Sequence, residues 1–257
     1  MNQTHKIALI TGATAGIGKS TALLFAQKGW DVIITGRRKD RLEALQKQIE
    51  ADYATKVLIL NFDIQSWEES KASIESLSAD WQKIDVLVNN AGLAMGRDDF
   101  HEADVKDWDT MINTNVKGLL YISRLVSPLM IERQKGHIIN VSSIAGKQVY
   151  ARGNVYCATK HAVDALSKAM RIDLLEYNIR VTSINPGAVE TEFSIVRYKG
   201  DLEQAAKVYE GYQPLLAEDV ADTIVYAATR PPHVNLNEIM LTCTTQANAF
   251  YNIKNKK

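Results

Sequence analysis

The sequence predicts an α/β fold, a doubly wound parallel sheet with helices on both faces, in a single domain. Three observations carry this. Short β-rich apolar runs alternate with longer segments of helical period from the first residues to about position 185. Strands separated by helix-length connections cannot be joined as hairpins, so the pairing must be parallel. A chain of 257 residues, 46% apolar and 23% charged, is large enough for one substantial core of this kind.

The first predicted strand, 6–11, is the run Ile7-Ala8-Leu9-Ile10 closed by Thr11-Gly12, and it turns into a helix at 17–28. Strand 31–35 leads to helix 38–51, strand 56–62 to helix 67–81, and strand 85–89, ended by Asn89-Asn90-Ala91-Gly92, to one long helix at 105–133. Strand 136–141 precedes helix 155–176, strand 179–184 follows, and helix 218–229 leads to a last strand at 239–243. Regular alternation breaks between 187 and about 215. Ligands of open α/β sheets bind beyond the carboxyl ends of the strands, so this stretch is either a substrate lid or a solvated loop.

Composition excludes several functions. With 30 Lys+Arg against 30 Asp+Glu the chain carries no basic surplus, which argues against nucleic acid as a partner. No apolar stretch is long enough to span a membrane, and Met1 to Lys6 is polar, so a cytoplasmic protein is expected. Cys157 and Cys243 are too few for a disulfide framework or a CxxC site and are read as buried thiols. No HExxH, P-loop or GxSxG motif is present, and no metal is expected.

Glycines at 12, 16 and 18 fall where the first strand becomes a helix. Such a turn brings backbone close to a pyrophosphate and aims unpaired N–H groups at it, although a glycine-rich turn can also be purely structural. At the end of the second strand, Thr35-Gly36-Arg37-Arg38 has two arginines where NAD-binding folds usually carry an acid for the ribose hydroxyls. Arg37 and Arg38 are either ligands of a 2′-phosphate or surface residues opening a helix, where cations are unfavourable. Asp31 lies at the wrong end of that strand for a ribose and is read as a turn residue.

Tyr156 and Lys160 stand four apart at the start of a helical segment and so share a face. Making a phenol useful at neutral pH means lowering its pKa by about 3 units, and an ammonium about 4 Å away supplies roughly that at an effective dielectric near 20. The same spacing also occurs in ordinary surface pairs. Ser143, thirteen residues before Tyr156, ends a strand facing the same crevice.

The ordered set Thr11-Gly12-xxx-Gly16-Ile17-Gly18, Asp63-Ile64, Asn89-Asn90-Ala91-Gly92, Asn113-Thr114-Asn115-Val116, Ser143, Tyr156-xxx-Lys160 and Pro186-Gly187 resembles the short-chain dehydrogenase/reductase family over essentially the whole chain. The resemblance implies a seven-stranded Rossmann-like sheet, a nicotinamide cofactor and a homotetramer or homodimer. It also implies that Tyr156 is the acid/base, that Ser143 binds the reacting oxygen, that Lys160 holds the nicotinamide ribose, and that Asn115 supports a proton relay. Cofactor contacts are implied at Gly12, Thr14, Gly16, Ile17, Gly18, Arg37, Arg38, Asp63, Ile64, Asn90, Ala91, Gly92, Tyr156, Lys160, Pro186, Gly187, Val189 and Thr191, with Asp63 receiving the adenine amino group.

Within the family, the runs Thr35-Gly36-Arg37-Arg38, Gly153-Asn154-Val155-Tyr156 and Thr191-Glu192-Phe193-Ser194 look like the NADP-dependent 3-hydroxy acid dehydrogenases, a group with serine 3-dehydrogenases and malonic-semialdehyde reductases. The partner implied is a small 3-hydroxy or 3-oxo acid. A desolvated carboxylate needs a cation, for which Arg197 is preferred over Lys199 and Arg152 because a guanidinium can hold it bidentately. A broad carbonyl reductase, a 3-oxoacyl-thioester reductase and a non-catalytic NADPH sensor are the alternatives. His161 is expected to point away from the site.

Overall fold

The computed structural model describes residues 6–254; residues 1–5, whose polarity entered the expectation of a cytoplasmic protein, lie outside the described residues. Strand β1 (Ile7–Ile10) sends Ala8 and Ile10 into one apolar cluster and Ile7 and Leu9 into another, because alternate residues of a strand point to opposite faces. Both faces are buried, which is why the strand is apolar at every position.

The chain continues through α1 (Gly16–Gln27), β2 (Asp31–Gly36), α2 (Lys39–Asp52), β3 (Val57–Asn61), α3 (Trp67–Glu75), β4 (Ile84–Asn89), α4 (Val105–Ile112), α5 (Leu119–Glu132), β5 (Gly136–Val141), α6 (Asn154–Asp173) and β6 (Ile179–Pro186). It ends with β7 (Val189–Glu190), α7 (Phe193–Arg197), α8 (Leu202–Lys207), β8 (Leu215–Leu216), α9 (Ala217–Ala228) and β9 (Glu238–Leu241). Seven strands pair in parallel in the order β3-β2-β1-β4-β5-β6-β9. One face is covered by α1, α2 and α9 through Phe25, Leu42, Ile49 and Ile224, the other by α3 and α5 through Ile74, Ile122, Val126 and Met130. Each such buried side chain contributes roughly 1.5–3 kcal/mol. This is the expected seven-stranded, doubly wound, Rossmann-like architecture.

Three boundaries differ from the sequence reading. The helix expected over 67–81 stops at Glu75, where Ser76 Oγ turns back onto Ser73 O at 2.8 Å and competes with the helical pattern. The single helix expected over 105–133 is interrupted by a wider π-helical turn, Asn113–Gly118, that sets Asn115 against Leu93. Between 187 and 215 the chain is neither a plain loop nor unstructured: β7 and β8 pair in parallel and α7 and α8 lie between them.

The strand order reverses direction at β1 and β4, so a crevice opens between their carboxyl ends. Thr11 Oγ1 closes the base of that crevice by donating to Val88 O and accepting from Asn90 N and Ala91 N, the last two at 3.0 Å. Asp31 begins β2 and accepts from Lys56 N at 2.8 Å.

Candidate active site

The glycine turn after β1 is built to approach a ligand. Gly12 and Gly16 adopt φ of +69° and +50°, a region where side chains are strained, and a Cβ at Gly12 would lie 2.9 Å from Ala91 Cα. The N-cap of α1, Ala15, makes no side-chain cap bond, and its first turn carries no acid. The positive end of this helix therefore faces the crevice with unmet N–H groups, which fits a pyrophosphate. Gly18 also has a packing role. A Cβ there would lie 2.4 Å from Gly12 O and 2.5 Å from Asn90 Nδ2, so Gly18 lets α1 pack on the turn and does not line the groove.

The remaining expected residues fall along one groove. Gly12, Thr14, Gly16 and Ile17 form its first wall, and Arg37, Arg38, Asp63 and Ile64 its far end. Asn90, Ala91 and Gly92 follow from β4, and Pro186, Gly187, Val189 and Thr191 from the β6 side. Ser143, Tyr156 and Lys160 line the other end.

At the far end, Arg38 Nε and Nη2 both donate to Thr14 Oγ1, at 3.2 and 2.7 Å, and Nη1 donates to Glu192 at 2.9 Å. Arg41 Nη1 donates to both oxygens of Glu192 at 2.7 and 2.9 Å, and Arg37 Nη1 lies 3.5 Å from Asp63 Oδ2. Partial burial works against ionisation of Glu192, but hydrogen bonds from Arg38 and Arg41 outweigh it and hold the carboxyl below its usual range. A Cβ at Gly36 would lie 2.6 Å from Thr14 Cγ2, so the position that could offer an acid to ribose hydroxyls is closed. Three cations against Glu192 and Asp63 fit a 2′-phosphate better than a bare ribose. Arg41 carried no local sequence signal, and its pairing with Glu192 was hidden because it spans about 150 residues of chain.

At the near end, Tyr156 and Lys160 lie on the first turns of α6, 8% and 6% exposed, with Lys160 Nζ 5.9 Å from the Tyr156 ring centroid. Ser143 Oγ donates to Pro186 O at 3.4 Å and accepts from Ala145 N at 3.1 Å. The electrostatics overturn one sequence-based expectation. Burial, reinforced by Tyr150, pushes the Tyr156 phenol above its ordinary value, against the lowering effects of Ser143 and Arg197. The ammonium of Lys160 gives one of its donors to Val141 O at 3.0 Å, and burial pushes its own pKa down to about 8. In this state Tyr156 is a protonated donor, not a phenolate made by its neighbour.

Asn115 lies close to Lys160 across Gly92, with both amide hydrogens on Leu93 O and Thr159 Oγ1 and its Oδ1 accepting from Leu93 N. It shapes the β4 loop. Arg197 is brought to the catalytic end: its guanidinium carbon is 5.6 Å from the Tyr156 ring centroid, and Nη1 donates to Tyr150 Oη at 2.9 Å. Nε is buried with no partner, and Nη2 makes only a 3.4 Å contact to Arg152 O, so neither donor is strongly engaged. The other candidate cations are engaged elsewhere, Arg152 with Asp99 and Lys199 with Asp107. His161 is exposed on α6, its Nδ1 2.8 Å from Cys157 O, and Cys157 and Cys243 are buried free thiols. Among the described residues no helix is long and apolar enough to cross a membrane, and no group of three or more His, Cys, Asp or Glu could hold a metal ion.

This geometry has close relatives. An NADP-dependent 3-hydroxy acid dehydrogenase, YdfG, of Salmonella typhi is 48% identical over 94% of this chain and 96% of its own. A serine 3-dehydrogenase of Rhizobium radiobacter is 42% identical over 95% and 96%. A solved closed form of serine dehydrogenase complexed with NADP+ superposes with a TM-score of 0.91 at 45% identity, covering 97% of this chain and all of that one. The profile of the family described as short chain dehydrogenase matches residues 6–201, and with these relatives it places the chain in that family: the protein is a short-chain dehydrogenase.

Proposed function

We propose that this enzyme transfers hydride between NADP(H) and the 3-position of a small 3-hydroxy or 3-oxo acid. The observation that carries the reading is Arg197, whose guanidinium carbon lies 5.6 Å from the Tyr156 ring and whose Nε has no partner, while Ser143 and Tyr156 line the groove that holds Arg37 and Arg38 at its other end. The names of the relatives support the same substrate class and cofactor.

In reduction, Ser143 and Tyr156 bind the carbonyl oxygen of the 3-oxo acid, and the phenol proton passes to that oxygen as its carbon is reduced. A positioned acid of this kind accounts for roughly 10²–10⁴ of rate. When bound, the cofactor supplies or accepts the hydride, and its oxidised ring adds a positive charge that favours the phenolate needed for alcohol oxidation. Lys160 presents its donors beside Gly92 and Val141 to the nicotinamide ribose. Asn115 is a positioning residue for the loop under that ribose, and Asp63 receives the adenine amino group. Arg197 takes the substrate carboxylate on its Nε and Nη2 edge, and the segment 187–215 acts as a lid that closes over it.

Exposed Ile112 on α4, Leu120 on α5 and Ile172 on α6 support a homodimer or homotetramer, which light scattering after size exclusion tests. The buried free thiols suit the reducing cytoplasm.

The function is tested by steady-state kinetics with serine, 3-hydroxypropionate, 3-hydroxyisobutyrate and malonic semialdehyde, each with NADP(H) and NAD(H), against neutral secondary alcohols. Expected is a preference for the acids and for NADP(H), each of about tenfold or more, or about 1.4 kcal/mol. Turnover of neutral alcohols alone, or a preference for NAD(H), overturns the reading.

A further inference from the structure

Glu192 belongs to the lid segment, yet its carboxylate is held by two arginines of the cofactor end. It is the residue before α7, and α7 is the element that faces the chemistry: Phe193 packs on Tyr156 with ring centroids 5.5 Å apart, and Arg197 closes the same helix. The far end of α7 is fastened separately, by Gly96 N donating to Arg197 O at 2.9 Å and by Lys199 on Asp107 at 2.7 Å. The position of α7 over Tyr156 is therefore set at one end by these contacts and at the other by Glu192 on Arg38 and Arg41.

Arg38 uses different edges for its two partners. Nη1 holds Glu192, whereas the Nε and Nη2 fork is turned onto Thr14 Oγ1, a single neutral oxygen taking both donors. That fork matches two oxygens of an anion better than one hydroxyl. A 2′-phosphate can take it while Nη1 stays on Glu192, and Arg41 keeps its own grip on both Glu192 oxygens. Phosphate and Glu192 then share Arg38 without competing, and fixing Arg38 fixes the start of α7.

We propose that Glu192 is a positioning residue that couples recognition of the 2′-phosphate to the placement of the substrate-facing helix α7. The inference rests on the NADP(H) reading above and adds to it that the phosphate acts on substrate capture as well as on cofactor affinity. By reciprocity, whatever orders α7 must tighten the phosphate-bearing cofactor by the same factor.

The test is hydrogen exchange of peptides across residues 190–200 in the ligand-free, NADPH-saturated and NADH-saturated enzyme, for wild type and Glu192→Gln, with both dissociation constants from fluorescence titration. The Glu192 side chain is 41% exposed, so the substitution leaves no buried hole. NADPH should slow exchange of the wild-type segment about fivefold or more beyond NADH, the low end of ordinary coupling between sites, and Glu192→Gln should erase that difference. Three results overturn the proposal: equal protection by both cofactors, faster exchange with NADPH, which would mean that phosphate displaces Glu192, and a difference that survives in Glu192→Gln. If wild type binds NADPH no more tightly than NADH, the cofactor reading falls too; tighter NADPH binding with equal protection removes only the coupling.

Discussion

Replacing Arg197 with methionine keeps the aliphatic stem and removes the charge and the fork. Nε, buried without a partner, and Nη2, with only a 3.4 Å contact, are the donors proposed to take a substrate carboxylate in two charge-assisted hydrogen bonds. At roughly 1.5–3 kcal/mol each, and discounted for partial exposure, their loss costs about 2–4 kcal/mol. That corresponds to a fall in kcat/KM for 3-oxo acids of about 30- to 1000-fold. Arg197 also lowers the Tyr156 pKa, so its removal keeps the phenol protonated, which is the form that reduction requires. Reduction of a neutral ketone at neutral pH should therefore change by less than about threefold, within the range of surface substitutions. The assay is NADPH consumption with malonic semialdehyde and with a neutral ketone of similar size. Equal losses on both substrates, or none on the acid, would refute the reasoning.

Tyr156→Phe should lower turnover by about 10²-fold or more while leaving the NADPH dissociation constant within about threefold, as read by fluorescence titration. Lys160→Met should also remove activity but stabilise the ligand-free protein. Burial lowers the Lys160 pKa from 10.5 to about 8, so below pH 8 the folded state carries a penalty that is relieved as pH rises from about 8 to 10.5. The shift is worth roughly 3 kcal/mol, less about 1 for the lost Val141 hydrogen bond, which raises Tm at pH 7 by about 4–8 °C. Thermal melts across that pH window should show the variant's advantage shrinking; a variant less stable at pH 7 contradicts the assignment. Arg38→Leu should weaken NADPH binding about tenfold or more and leave NADH nearly unchanged, measured by titration. Gly18→Ala, whose Cβ would lie 2.4 Å from Gly12 O, should cost about 1–3 kcal/mol in denaturant unfolding and loosen cofactor binding with it.

The sheet was legible because parallel strands buried on both faces carry apolar runs, as in β1, β2 and β4, and β1, β5 and β6 are closed by Thr11-Gly12, Ser142-Ser143 and Pro186-Gly187. The groove was legible for the same reason: its residues follow directly on strand ends. What escaped was whatever depends on contacts distant in sequence. The π-helical turn at Asn113–Gly118 leaves a helical pattern that looks unbroken, and the bond it brings about between Asn115 and Leu93 is tertiary. Arg41 and Tyr150 carry no motif; the structure gives them roles through Glu192 and Arg197. The electrostatics of the Tyr156 and Lys160 pair were misread because spacing reports which face two side chains share and says nothing of burial, which here dominates both.

The most direct measurement is a crystal structure of the enzyme with NADP+ and 3-hydroxypropionate. The account predicts the 2′-phosphate on Arg37 and Arg38, the substrate hydroxyl within hydrogen-bond distance of both Ser143 Oγ and Tyr156 Oη, and the carboxylate on the Nε and Nη2 edge of Arg197. A hydroxyl out of reach of Tyr156, or a carboxylate turned to solvent with Arg197 unengaged, would contradict it.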